Sequence, residues 1–293
     1  MSLNKEIERL INGGAFDKAA QAVESLQDKA DALYYKALLA FKRDDFDTAV
    51  QLAEQLTAEK ETDARGHALL GQALGLKAQH AGAVKGAMLL PKVKKAFSRA
   101  LELDENNTAA LEGLFMVCLF APSMAGGDEG KAREIMVKTQ NIHPARAALM
   151  EGIWHSKKQE SDKARQAFAR AAEAADSDPE VLLRSARFFL EQGALEEAGN
   201  AVSRFVNAVP EGAHALELQA DLSRARKEWD NAVRQYESLL SERNGYLPAR
   251  LKLAVCLKEK GDAAAARQHL QSVLDQAGKS PIAGRARELM KSL

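Results

Sequence analysis

The chain has 293 residues, and 41 lysines and arginines balance 41 aspartates and glutamates. Zero net charge argues against a dedicated nucleic-acid binder, which needs surplus cations to displace counterions. An aromatic content of 5% leaves little to line a deep cofactor cavity, so no cofactor is expected. Two cysteines, Cys118 and Cys256, make no disulfide framework and read as buried small hydrophobes. The longest apolar run, Leu114 to Pro122, is less than half the roughly 20 residues of a spanning helix, so no membrane insertion is expected. The start, Met1-Ser2-Leu3-Asn4-Lys5-Glu6, lacks the apolar core of a signal peptide. The expected compartment is cytoplasmic, or periplasmic if Met1 to Leu3 replace a removed export signal.

Taken in chain order, the predicted elements are helix pairs that repeat. The turn-and-helix device Gly14-Ala15-Phe16-Asp17-Lys18-Ala19 returns as Asp44-Asp45-Phe46-Asp47-Thr48-Ala49. It recurs with Ala164, Ala198, Ala232 and Ala266, each 34 residues from the last. Eight units follow, over about 1–29, 30–63, 64–107, 108–144, 145–178, 179–211, 212–246 and 247–280, read as a single solenoid. A last helix, Pro281 to Leu293, carries Arg285, Arg287 and Lys291 as a solubilising cap. Asp47 and Asp178 are candidate N-caps.

Small residues stand eighth in the units, at Ala37, Gly71, Gly152, Ala186, Ala220 and Ala254. Bulky ones stand one turn past the repeating alanine, at Val23, Phe97, Met136, Phe168, Val202, Tyr236 and Leu270. Prolines punctuate unit ends at Pro144, Pro179, Pro210 and Pro281. In this period and pattern the chain resembles the tetratricopeptide-repeat (TPR) family. The resemblance implies an all-α, right-handed superhelical solenoid whose first helices line a concave face.

Two units depart from the period. The third gains ten residues, with His80 to Pro91 expected as a loop, and the fourth gains five around Ala121 to Gly130. Both insertions fall between the two helices of adjacent units, so they are expected side by side on one rim and mobile relative to the helices, the second loosened by Gly126-Gly127. Pro122, Ala125-Gly126-Gly127 and Lys131-Ala132 resemble a subset of bacterial TPR proteins that pair a lengthened third repeat with a Pro-x-x-Ala/Gly-Gly loop. No activity attaches to that subset.

Chemistry-bearing motifs fail on their residues. Gly126 to Lys131 is no phosphate loop: Ala125 stands where the first glycine is needed, and Ala132 where a hydroxyl would hold magnesium. The histidines, His67, His80, His143, His155, His214 and His269, form no metal-ligand spacing, and neither cysteine has a neighbouring histidine to activate it. No catalytic residue and no metal site is therefore expected, and the chain reads as no enzyme.

The positions that face inward in this family select a partner-binding groove. They are Tyr34, Leu38, Phe41, Gln72, Glu112, Met116, Leu119, Leu149, Ile153, Leu183, Arg187, Leu190, Glu217 and Asp221. The groove is apolar over its first two-thirds and mixed in charge toward the end. Lysine and asparagine are missing where the family's carboxylate-gripping members place them, so such a clamp is not expected. The function expected is a noncatalytic scaffold that binds a partner protein or peptide in this groove. The alternatives are a self-assembling scaffold (a homo-oligomer) and an RNA-binding repeat protein, the latter disfavoured by Glu112, Glu217 and Asp221.

Overall fold

The computed structural model describes residues 2–176, 178–278 and 280–293. Met1, with which the first unit opens, Ser177 and Lys279 lie outside the described residues. Among the described residues, every regular element is helical. Successive A and B helices are α1 (Leu3–Gly13) and α2 (Phe16–Val23), α3 (Lys29–Lys42) and α4 (Phe46–Glu59), α5 (Ala64–His80) and α6 (Ala83–Leu103), then α7 (Thr108–Phe120) and α8 (Glu129–Ile142). They continue as α9 (Pro144–Lys157) and α10 (Ser161–Ala174), α11 (Pro179–Gln192) and α12 (Leu195–Ala208), α13 (Ala213–Ala225) and α14 (Trp229–Glu242), α15 (Leu247–Glu259) and α16 (Ala263–Ala277). The last helix is α17 (Pro281–Lys291). The chain forms two compact units, one of Met1–Ile11 with Ala15–Asp176 and one of Asn12–Gly14 with Ser177–Leu293.

The helices start and stop for local reasons. Asp28, Asp45, Asp63, Asn107, Asp128, Asp178 and Asp262 each accept a hydrogen bond from a backbone N–H of the helix they precede. Asp178 was the expected cap of α11, but Asp45, not Asp47, caps α4. Asp47 lies in the first turn and pairs instead with Lys77. Most A-to-B turns close through one left-handed residue, five positions before the repeating alanine: Gly14, Asp44, Gln159, Gly193, Lys227 and Gly261. The residue after it donates back to the A helix, as in Glu160 N to His155 O at 3.0 Å and Ala194 N to Phe189 O at 2.9 Å. Glycine pays no steric cost in this conformation, whereas Asp44, Gln159 and Lys227 do, and hold it only because both flanking helices are packed.

In the first unit, small residues let helices approach and large ones fill what is left. Phe97 of α6 is buried between two glycines. A Cβ at Gly71 of α5 would stand 2.6 Å from its ring, and one at Gly113 of α7 would stand 2.1 Å away. Gly152 of α9 leaves the same room for Phe168 of α10, with 2.6 Å to a built Cβ. Around Phe97 close Leu74, Val93, Leu111, Phe115 and Met150, so the core runs continuously through the third to fifth repeats. In the second unit, Tyr236, Leu239, Leu253 and Cys256 pack with Ala220, Ala232 and Ala266, and α17 covers Ala254, Leu270 and Val273 with Ala286.

The lengthened third repeat differs from expectation. His80 to Pro91 is not a loop: α5 runs to His80, a two-residue turn follows, and α6 begins at Ala83 and passes through Pro91. Pro91 removes one helical hydrogen bond, to the carbonyl of Ala87, but Ala87 is exposed and water can replace the lost donor. The insertion therefore lengthens a helix. The fourth-repeat insertion is a hydrogen-bonded turn. Gly127 N donates to Pro122 O at 2.9 Å and Asp128 N to Cys118 O at 2.8 Å, around a 3-10 turn over Ser123–Ala125. Lys94 Nζ of α6 reaches Gly126 O at 2.7 Å, so the two insertions are neighbours on one rim, as expected. Where a flexible loop was expected, the turn is pinned by these bonds.

The glycine seats give a prediction. Gly113→Ala forces a methyl group into the Phe97 ring and should cost about 1 to 3 kcal/mol in denaturant unfolding. Adding Phe97→Leu should recover part of that loss, because the shorter side chain vacates the collision. If Gly113→Ala alone is neutral, Phe97 is not wedged as described.

Candidate functional site

The A helices carry the candidate surface. In the first unit α3, α5, α7 and α9 are consecutive neighbours. Acid and base one period apart join them: Arg65 Nη2 donates to Asp31 Oδ1 at 2.8 Å, and Arg146 Nη1 to Glu112 Oε1 at 3.1 Å. Arg65 is held further by Asp63 Oδ2 at 2.8 Å and lies 4.8 Å from the centre of the Tyr34 ring. This fixes Tyr34 as a half-buried platform. Leu38 and Phe41, also half-buried, pack with Leu70 on Ala37, Ala53 and Leu69.

The expected groove residues of this unit separate into two groups. Tyr34, Leu38, Phe41, Gln72, Glu112 and Ile153 are half-buried, and Met116 is 38% exposed. These seven present surface. Leu119 is 1% exposed and Leu149 is fully buried, so neither offers contact area to a partner. The reason is packing around a mid-stack A helix. α9 is covered by α7, α8 and α10 at once, and Ala145, Ala147, Ala148, Leu149, Met150 and Gly152 are all consumed by it. Only a narrow strip is left open.

In the second unit the expected residues form a polar cluster. Leu183 is 6% exposed and belongs to the core, whereas Leu190 is half-buried. Arg187 Nη2 donates to Glu217 Oε2 at 3.3 Å. The other oxygen of Glu217 accepts from Tyr246 Oη at 2.9 Å and Lys252 Nζ at 3.4 Å. Lys252 also donates to Asp221 Oδ2 at 2.7 Å, and Asp221 accepts from the Tyr236 hydroxyl. Sequence reading selected Arg187, Glu217 and Asp221 but missed Tyr236, Tyr246 and Lys252. Lys252 had a signal: it stands 35 residues after Glu217, near one period, like Arg65 after Asp31 and Arg146 after Glu112. The tyrosines had none, because either could equally have been core.

Burial by itself would raise the acid constant of Glu217. Lys252 and Arg187 outweigh it, aided by the Tyr246 hydrogen bond and by His214, and the carboxyl lies below the ordinary range. For Tyr246 and Tyr236, burial and the facing carboxylates raise the hydroxyl values, so both stay protonated and donate. Burial also pushes the Cys256 thiol up to about 11, and that of Cys118 upward, which leaves both as unreactive core thiols.

A carboxyl whose folded value is depressed stabilises the fold above its unfolded value, about 4.3 for glutamate, and loses that contribution as pH falls through the folded value. Glu217→Gln should therefore cost about 1 to 3 kcal/mol at neutral pH. The difference from wild type should shrink below about pH 4. Chemical denaturation across pH checks both; a pH-independent difference would mean that charge plays no part.

Three tetratricopeptide-repeat family models match the chain, over residues 31–59, 149–213 and 223–289. No curated protein matches the sequence significantly. Solved structures similar in fold include the APC/C hetero-tetramer Cut9-Hcn1, with a TM-score of 0.53 and 14% identity over 94% of this chain and 58% of that one. Yeast Tom70 gives a TM-score of 0.55 and 15% identity over 91% of this chain and 64% of the other. The human IFIT1 dimer with m7Gppp-AAAA gives 0.53 and 11% over 93% and 72%. The chain thus spans less than two-thirds of the Cut9-Hcn1 and Tom70 chains, and at these identities the likeness is one of fold alone. The matched segments together cover more than half of the sequence, so the chain belongs to the tetratricopeptide-repeat family.

Proposed function

We propose that the protein is a noncatalytic interaction scaffold, and that the A-helix strip of its first unit holds a partner peptide or helix. The carrying observation is Met116, 38% exposed on the same helix layer as the half-buried Tyr34, Leu38, Phe41 and Ile153. Apolar side chains in a strip this narrow gain by being covered, at about 25 cal/mol per Å² before ordering costs. Between them lie Gln72 and the Glu112–Arg146 pair, which supply hydrogen-bonding groups and fix the partner's direction. Anchors of this type carry most of the energy in peptide recognition. Membership of the family and the fold shared with Tom70 and Cut9-Hcn1 support a scaffold role. In the second unit, Arg187, Glu217 and Lys252 already satisfy one another, so this cluster orders the face more than it recruits a charged ligand.

The test pairs an open residue with a closed one. Met116→Asp should leave the thermal midpoint nearly unchanged, since an exposed side chain has few packing partners. It should weaken partner capture from the native cell by about 2 kcal/mol or more. Leu149→Asp should instead unfold the chain by burying a charge. Capture unaffected by Met116→Asp would remove this strip as the site, and loss of a dimer in that variant would identify the partner as a second copy.

A further inference from the structure

Residues 64–101 contain no aspartate or glutamate but hold seven lysines and arginines. Four of the seven are engaged. Arg65 is held by Asp31 and Asp63, Lys77 by Asp47, Arg99 by Glu61 and Glu102, and Lys94 by the Gly126 carbonyl. Lys85, Lys92 and Lys95 are exposed and have no acidic partner among the described residues. All three lie on the open side of α6. Val84, Met88, Pro91 and Lys95 follow one another at intervals of four, three and four, which is one face of a helix, and Lys85 and Lys92 border it.

The first two turns of this face are apolar and nearly bare. Val84 is 77% exposed and Met88 is 74% exposed. Met124, 97% exposed, projects from the 3-10 turn that Lys94 ties to α6. Lys94 lies about 9 Å along the helix axis from Met88. The lengthened third repeat thus ends in a rim with protruding apolar side chains and a lysine belt behind them.

Two requirements select the occupant. It must cover single apolar protrusions, and it must bring negative charge without cations of its own. A partner helix presents anchors that seat in a groove, but side chains this exposed project and line none. Single-stranded nucleic acid would use the lysines and stack on aromatic rings, leaving Val84, Met88 and Met124 without a role. An anionic bilayer meets both needs: its acyl boundary accepts the protrusions and its headgroups accept the lysines.

We propose that this rim docks the protein on an anionic lipid surface, with Val84, Met88 and Met124 entering the interface and Lys85, Lys92 and Lys95 on the headgroups. No helix among the described residues is long and apolar enough to cross a membrane, so entry is shallow. The sequence expectation of no membrane insertion then holds for a spanning segment only. The A-helix strip is a separate surface and remains open to its own partner.

The experiment is co-sedimentation of the full chain with phosphatidylglycerol–phosphatidylcholine vesicles and with phosphatidylcholine vesicles alone. Binding is expected to the mixed vesicles only, and to weaken as salt rises. Each of Lys85→Ala, Lys92→Ala and Lys95→Ala should weaken it about fivefold. Val84→Asp with Met88→Asp should abolish it while the thermal midpoint is kept. In Met124→Trp, fluorescence should shift to the blue on mixed vesicles. Equal binding to both vesicles, or binding retained by the lysine variants or by the aspartate variant, overturns the proposal. So does a wild type that ignores vesicles but self-associates through Val84 and Met88, or that captures an oligonucleotide through its lysines.

Discussion

The ring of Phe97 fills a space that exists only because Gly71 and Gly113 have no side chains. That seat joins three helices, two of its own repeat and one of the next, and so makes packing within a repeat and between repeats one event. Phe168 against Gly152 repeats the contact within a repeat, joining α9 and α10. A single helix pair cannot bury its apolar faces, so the stack depends on such shared seats. The distribution of open surface follows. Where the seats draw helices closest, A-helix residues such as Leu149 are closed on every side, and on the A-helix face of the first unit Tyr34, Leu38, Phe41 and Met116 keep surface open to another molecule.

Polar contacts obey the same periodicity. Asp31 with Arg65 and Glu112 with Arg146 place opposite charges at equivalent positions of successive repeats. Glu217 with Lys252 does so almost one period apart and draws in Tyr246 and Arg187. Half-buried, partly solvated pairs of this kind contribute modest stability alone. Their effect is orientational: they set which atoms of the A-helix face remain free. Glu217 shows the stronger, buried form, in which burial opposes ionisation and two cations with a tyrosine hydroxyl overcome it.

The two departures from the 34-residue period have a single structural consequence. One lengthens α6 and the other builds the turn at Ser123–Ala125, and Lys94 joins them. Each alone would be an exposed irregularity. Together they make a rim whose apolar tips and unpaired lysines are unlike the alternating charges elsewhere on the chain.

The sequence by itself determined the helix-pair repeat and the A-to-B position of both insertions. Small and bulky residues recur at fixed distances, and the helix crossing admits no other arrangement of them. It also marked most of the residues on the A-helix faces. Tertiary structure decided which of those are open. Leu149 and Met116 are both large apolar residues at inward positions, yet Leu149 is fully buried and Met116 is 38% exposed, a difference that only the packing of the stacked helices sets. It decided too that the stretch from Ala83 through Pro91 is helix, because a proline whose lost bond is to the exposed Ala87 is tolerated where local rules would stop the helix. Tyr246 as a partner of Glu217 was out of reach because a tyrosine at that position could equally be core, and stacking alone brings its hydroxyl to the carboxylate.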